Sequence, residues 1–214
     1  MKKYLLILIT ILSVISCSKK PGKLTGNVYW KYNNYVGNKP DAGAKILLFA
    51  VEKKQKDSIF ETTTDVNGNY TINDIPPAKY LLVIQSENTT DSPKEHLDNL
   101  RNYSKEIKQL FGFDLNKYAT TLKEIDDDYK KYEEILTDID YTKYGGISNK
   151  IDEYEKYQKN IDEKSANLID KLPKELKIKL GLYTGYSKSL EFTNIEIKEE
   201  KTINQNTDFG TTYM

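Results

Sequence analysis

The stretch Thr64-Asp65-Val66-Asn67-Gly68-Asn69-Tyr70, followed by Ile75-Pro76-Pro77-Ala78-Lys79-Tyr80 and the apolar run Leu81-Leu82-Val83-Ile84, decides the fold class. Asn-Gly between two β-branched or aromatic segments predicts a tight hairpin turn, because both residues accept positive φ at little cost. The two prolines then break the chain before a short, strongly apolar strand. Working outward, Lys45–Val51 repeats the pattern: Ile46, Leu47, Leu48 and Phe49 form a nearly continuous apolar run, the mark of a buried strand. Leu24–Trp30 and Ser58–Thr64 read as further strands, so 24–86 is all β with about five strands.

The set Gly26-x-Val28, Pro40-x-x-Gly43-Ala44, Thr64-Asp65-x-Asn67-Gly68-x-Tyr70 and Ile75-Pro76-Pro77-x-x-Tyr80 resembles a carboxypeptidase regulatory-like domain. Ala78 departs from it, standing where that family usually carries glycine. The resemblance implies a transthyretin-like (prealbumin-like) β-sandwich of seven strands, and a non-catalytic accessory module.

Between Ser92 and Leu172 charged residues at helical spacing replace the β-branched runs. Ser92-Pro93 with Glu95 predicts a helix start, and Leu97, Leu100, Ile107 and Phe111 mark a buried stripe ending at Gly112. Leu115, Tyr118, Leu122, Ile125, Tyr129, Tyr132, Leu136 and Ile139 then follow at alternating steps of three and four. A matching series runs from Ile147 through Ile151, Tyr154, Gln158, Ile161, Ser165 and Leu168 to Leu172. The two are mirror images about Gly145, which antiparallel seam pairing requires, so an antiparallel coiled-coil hairpin is expected. In that register Asp128 meets Lys164 and Leu136 shares a layer with Tyr154. Asp126 faces Asp162 and Glu133 faces Glu155 on the other flank, a repulsion that Lys105 or Lys108 of the first helix could cover.

After Pro173 the pattern returns to β, with Leu176–Tyr183, Leu190–Lys198 and Thr202–Asn204 as strand candidates. The expected class is therefore α+β: a seven-stranded sandwich from 24–92 and 173–214, interrupted by a helical insertion over 93–172.

The N-terminus carries a separate signal. Lys2 and Lys3 precede an apolar run, Tyr4–Ile15, which suits an export signal and is too short to span about 30 Å of hydrocarbon. Val14-Ile15-Ser16-Cys17 resembles a lipobox of the Bacteroidetes type of lipoprotein. The resemblance implies cleavage after residue 16, lipid attachment to Cys17, a lipidated tether over 17–23 and an outer-membrane location in the bacterial envelope. Cys17 is the one cysteine, so no disulfide framework is available.

Lysine plus arginine and aspartate plus glutamate both number 32, leaving no basic excess to drive nucleic-acid binding. The single histidine, His96, falls in the first turn of a helix read as exposed. No catalytic set, metal cluster or cofactor loop is legible, and an EF-hand reading of 65–76 fails because Tyr70 and Pro76 stand where glycine and glutamate are needed. The expected function is thus a structural or protein-interaction role, with the helical hairpin meeting an envelope partner. The alternative is glycan binding by an aromatic-amide patch: Tyr29, Tyr32, Asn33, Asn34 and Tyr35, next to Trp30.

Overall fold

The computed structural model describes residues 19–51, 59–138 and 148–211. The export segment, Cys17 and the Gly145 turn lie outside the described residues.

Six strands come first: β1 (Gly22–Asn33), β2 (Gly37–Pro40), β3 (Lys45–Ala50), β4 (Ile59–Thr63), β5 (Asn69–Ile75) and β6 (Ala78–Asp91). The helical segment comprises α1 (Pro93–Asn102), α2 (Ser104–Phe111), a 3-10 turn (Leu115–Tyr118), α3 (Ala119–Asp138), α4 (Ser148–Asp170) and α5 (Lys174–Leu180). Strands β7 (Ser187–Ile197), β8 (Thr202–Asn204) and β9 (Thr207–Thr211) close the chain. The class is α+β, with nine described strands in sheets of five and four, against the seven expected. The surplus comes from short segments: β2 is four residues bounded by Gly37 and Pro40, too brief and too broken to show a period.

The four-stranded sheet has the order β4-β3-β6-β7, all antiparallel. In the other sheet β1 is central. It pairs antiparallel with β5 and β2 along one edge and parallel with β8 and β9 along the opposite edge. The strands that follow the helices therefore add to both sheets.

Side-chain alternation assigns two cores. Ile46, Leu48, Tyr80, Leu82 and Ile84 pack with Leu24, Val28, Tyr70 and Ile72 between the sheets. Leu47, Phe49, Leu81, Val83, Leu190 and Phe192 point the other way, into a second core shared with the helices. Burial on both faces is why β3 and β6 read as unbroken apolar runs. Helices on the four-stranded sheet, and that sheet on the five-stranded one, make three layers.

The turn at 65–69 corrects one expectation. Gly68 has φ +77°, whereas Asn67 is not among the non-glycine residues with positive φ, and β4 and β5 belong to different sheets. It closes as a hairpin turn does, the Gly68 amide donating to the Asp65 carbonyl and the Asp65 amide to the Asn69 carbonyl, each at 2.9 Å, but its two arms run into different sheets. Asp65 Oδ1 also accepts the Asn67 and Asn69 amides at 2.8 and 2.9 Å, adding side-chain bonds to those of the backbone. A β-carbon on residue 68 would lie 2.3 Å from the Val28 carbonyl oxygen, so only glycine fits there.

Leu176–Tyr183 is also corrected, from strand to the helix α5. Its leucines at 176 and 180 are both buried, one turn apart, while Ile178 between them is 68% exposed. Pro173 caps the start, and Gly181 ends the helix in the left-handed conformation at φ +61°.

The α1 start forms as expected: Ser92 accepts the Glu95 amide and Glu95 reaches back to the Ser92 amide at 2.7 Å, a capping box. The stripe to Gly112 is two helices, broken at Tyr103. Helices α3 and α4 pack antiparallel, because Lys164 meets Asp128 at 2.8 Å while Tyr132 and Tyr154 meet further along. Arg101, rather than Lys105 or Lys108, covers the acidic flank, at 2.7 Å from Asp126; Lys108 pairs with Asp114. Exposed to solvent, such pairs contribute little to stability.

Candidate functional site

Strand β1 carries the residues that matter most. Its even-numbered positions, Leu24 and Val28 among them, face the inter-sheet core, so Asn27, Tyr29 and Lys31 face outward. Trp30 turns inward and is 8% exposed, with Tyr32 edge-on against it at 5.7 Å. The Lys39 ammonium stands 4.3 Å from the Tyr32 ring centroid. Tyr35 is fully exposed at the tip of the β1–β2 turn, with exposed Asn34 beside it. The Asn33 side chain is spent on that turn, accepting the Tyr35 and Val36 amides at 2.9 and 2.7 Å. The patch read from the sequence is thus divided: Tyr29 lies on the outer sheet face, Tyr32 on Trp30's side, and Asn34 and Tyr35 at the tip.

The outer face brings Tyr29 together with residues distant in sequence. Asn27, Tyr29, Asn38, Lys39, Pro40 and Asn67 line an open depression of about 310 Å³. Asn27 Nδ2 donates to the Asn67 carbonyl at 2.9 Å and to Asn69 Oδ1 at 3.0 Å, and the Asn27 amide donates to Asn206 Oδ1 at 3.0 Å. None of the outer amides beyond β1 was legible as a partner of Tyr29. Their positions depend on β5 and β8 flanking one strand.

Two motif residues have structural work. The Tyr70 hydroxyl donates to the Gln205 carbonyl at 2.8 Å, and burial raises its pKa above the ordinary tyrosine value. The Tyr80 hydroxyl donates to the Pro76 carbonyl at 2.8 Å, tying the diproline corner to β6. Asp41, which sequence reading passed over, is fully buried and accepts from Ser86 Oγ, Asn88 Nδ2 and the Glu87 amide at 2.6, 2.6 and 3.1 Å. Its place between Pro40 and Gly43, at a sheet corner, is the signal that would have found it.

His96 overturns the exposed reading: it is fully buried, its Nε2 2.8 Å from Ser187 Oγ at the start of β7. A Ser-His-acid triad needs the acid on Nδ1. Here Nδ1 has no partner among the described residues, and Asp91 instead accepts from Ser189 Oγ at 2.6 Å. The pair ties α1 to β7. Burial lowers the His96 pKa, opposed by the Asp91 and Glu95 charges. Below its ordinary value of 6.5 the unfolded chain takes up a proton that folded His96 resists. Stability should therefore fall as pH drops through that window, by at most about 1.4 kcal/mol per pH unit. Urea unfolding at pH 5 and 7.5 checks this: wild type should lose more stability than His96→Asn, and equal losses would sink the assignment.

No family model matches the chain, and no curated protein does, so the resemblance to the carboxypeptidase regulatory-like family rests on the motif residues alone. Among solved structures the chain is similar to one described as a candidate carbohydrate binding protein from Pseudomonas aeruginosa. Identity is 16%, over 37% of this chain and 72% of that one, with a TM-score of 0.26. It is also similar to the minor pilin of Streptococcus agalactiae, at 10% identity over 92% of this chain and 47% of that one, with a TM-score of 0.36. Scores this low carry no weight for function.

Proposed function

We propose that the chain is a non-catalytic binding module of the bacterial envelope, held at the outer membrane by lipid on Cys17. The observation that supports it is an asymmetry between the sheets. The four-stranded sheet is covered on both faces, while no helix among the described residues packs on the outer face of the other sheet. A rigid strand face left open offers a surface for a ligand. Cys17 stands five positions before Gly22, where β1 begins, a reach of about 17 Å at roughly 3.3–3.6 Å per residue. The sandwich would ride close to the bilayer.

Cys17→Ser is expected to give an unprocessed or soluble chain that leaves the membrane fraction. Mass spectrometry of the wild-type N-terminal peptide should find an acylated Cys17. A Cys17→Ser chain that is still extracted only by detergent removes the anchor from this reading.

A structural or protein-interaction role for the hairpin is the second reading, favoured by Ile151, 39% exposed on the far half of α4. In that reading the far half meets an envelope protein while the near half stays packed on the sheet.

A further inference from the structure

We propose that the outer face of the five-stranded sheet binds a neutral glycan, with the Tyr29 ring against one sugar and the Asn27, Asn69 and Asn206 amides on its hydroxyls. This rests on reading that open face as the binding surface. The strand registers place three rows across the sheet. Thr71, Thr25 and Asn204 form one, and Pro40, Tyr29 and Asp208 another. Between them Asn69 pairs with Asn27, which is bonded to Asn206.

Asparagine is depleted from strands because its side chain competes for backbone hydrogen bonds and packs poorly on a pleated surface. Asn27 nevertheless sits within β1, whereas Asn69 opens β5 and Asn204 closes β8, places beside turns where asparagine is at home. Local preference does not account for Asn27, and residues that break a local rule mark functional places. The bonds of Asn27 to the 67–69 turn explain part of its presence.

Those same bonds hold the group ready. With Asn27 Nδ2 and the Asn69 and Asn206 Oδ1 atoms engaged, Asn27 Oδ1 is left as an acceptor and the other two Nδ2 groups as donors. A sugar hydroxyl both donates and accepts, so a fixed mixed set suits it, and prior fixing lowers the entropy cost of binding. Tyr29 adds an amphipathic ring beside Asn27, the one of the three that lines the same depression.

Charge selects the ligand class. The chain is 30% charged, yet Asp208 is the one charged residue in the three rows; Lys23 and Lys31 lie on the same strand beyond them, and Lys39, at the rim of the depression, has its ammonium over the Tyr32 ring. An anionic polymer would want the cations inside the field; an uncharged polyhydroxyl does not.

The test is titration of the purified full chain in detergent with neutral hexasaccharides (cello-, laminari-, xylo- and malto-hexaose) and with a polyuronate. At least one neutral probe should bind, and Tyr29→Ala should weaken it about tenfold or more at unchanged Tm. Tyr35→Ala, at the distant tip, should leave binding unchanged. Equal affinity in Tyr29→Ala, binding to none of the neutral probes, or salt-sensitive preference for the polyuronate would each overturn the proposal. Membrane fractionation of Cys17→Ser reads the anchor separately, so a failed glycan and a failed anchor are distinguishable.

Discussion

Gly26→Ala is expected to destabilise the sandwich by about 3 kcal/mol or more, well beyond the usual effect of one added methyl group. Gly26 has no positive φ, so the cost arises from space alone. Its β-carbon would lie 1.8 Å from the Gln205 carbonyl oxygen and 2.7 Å from the Tyr70 hydroxyl. Neither atom is free to yield. The Gln205 amide donates to the Thr25 carbonyl at 2.8 Å, and its carbonyl accepts from Tyr70 at 2.8 Å. Residue 205 joins β8 to β9, both paired to β1, so displacing it loosens one whole edge of the sheet. A loss of 3 kcal/mol in a chain of this size corresponds to about 6–12 °C in Tm. Tyr70→Phe, which removes only the hydroxyl, should cost nearer 1 kcal/mol. A Gly26→Ala chain melting within a degree or two of wild type would mean that the β1–Gln205 contact is looser than these distances require.

That contact also explains part of what was legible. Gly26, Asn67-Gly68 and Tyr70 stand out in the sequence because each satisfies a steric or hydrogen-bonding demand of the inter-sheet corner. The β3 and β6 runs were legible as buried strands for a plain reason: both of their faces are covered, so no polar alternation interrupts them. Leu176–Tyr183 misled because Leu176, Ile178 and Leu180 satisfy a two-residue period and a four-residue period at once. Pro173 before it and Gly181 after it, both helix-boundary signals, were the better guide.

The hairpin seam was legible in its charges, with Lys164 on Asp128 as expected, and less so in its layers. Tyr154 lies against Tyr132, centroids 4.8 Å apart and hydroxyls 2.9 Å apart. Half-buried tyrosines gain by pairing their hydroxyls, and a seam drawn from apolar spacing ignores that gain. The candidate site was legible only at Tyr29. Asn27 and Asn206 are separated by 179 residues and meet because β1 is flanked on both edges. Periodicity within one segment carries no information about such a meeting.

Leu168→Ala tests whether the helical layer is an arm or part of the body. An arm that touched the sandwich only at its base would confine any damage to 115–172. In the structure Leu168 is fully buried in the same core as Leu81, Val83 and Phe192 of the four-stranded sheet. Truncating it should cost about 2–5 kcal/mol, the range for a buried leucine that leaves a cavity. Leu136, half-buried on the far half of α3, should cost less when changed to alanine; its neighbour Ile135 is the buried one, at 8% exposure. Native-state amide exchange separates the two cases. If helices and sheet share one cooperative core, Leu168→Ala lowers protection in β6 and β7 as well as in α3 and α4, while Leu136→Ala affects the outer hairpin alone. Full protection of β6 and β7 in the Leu168→Ala chain would show that the helices unfold on their own and that the sandwich does not need them.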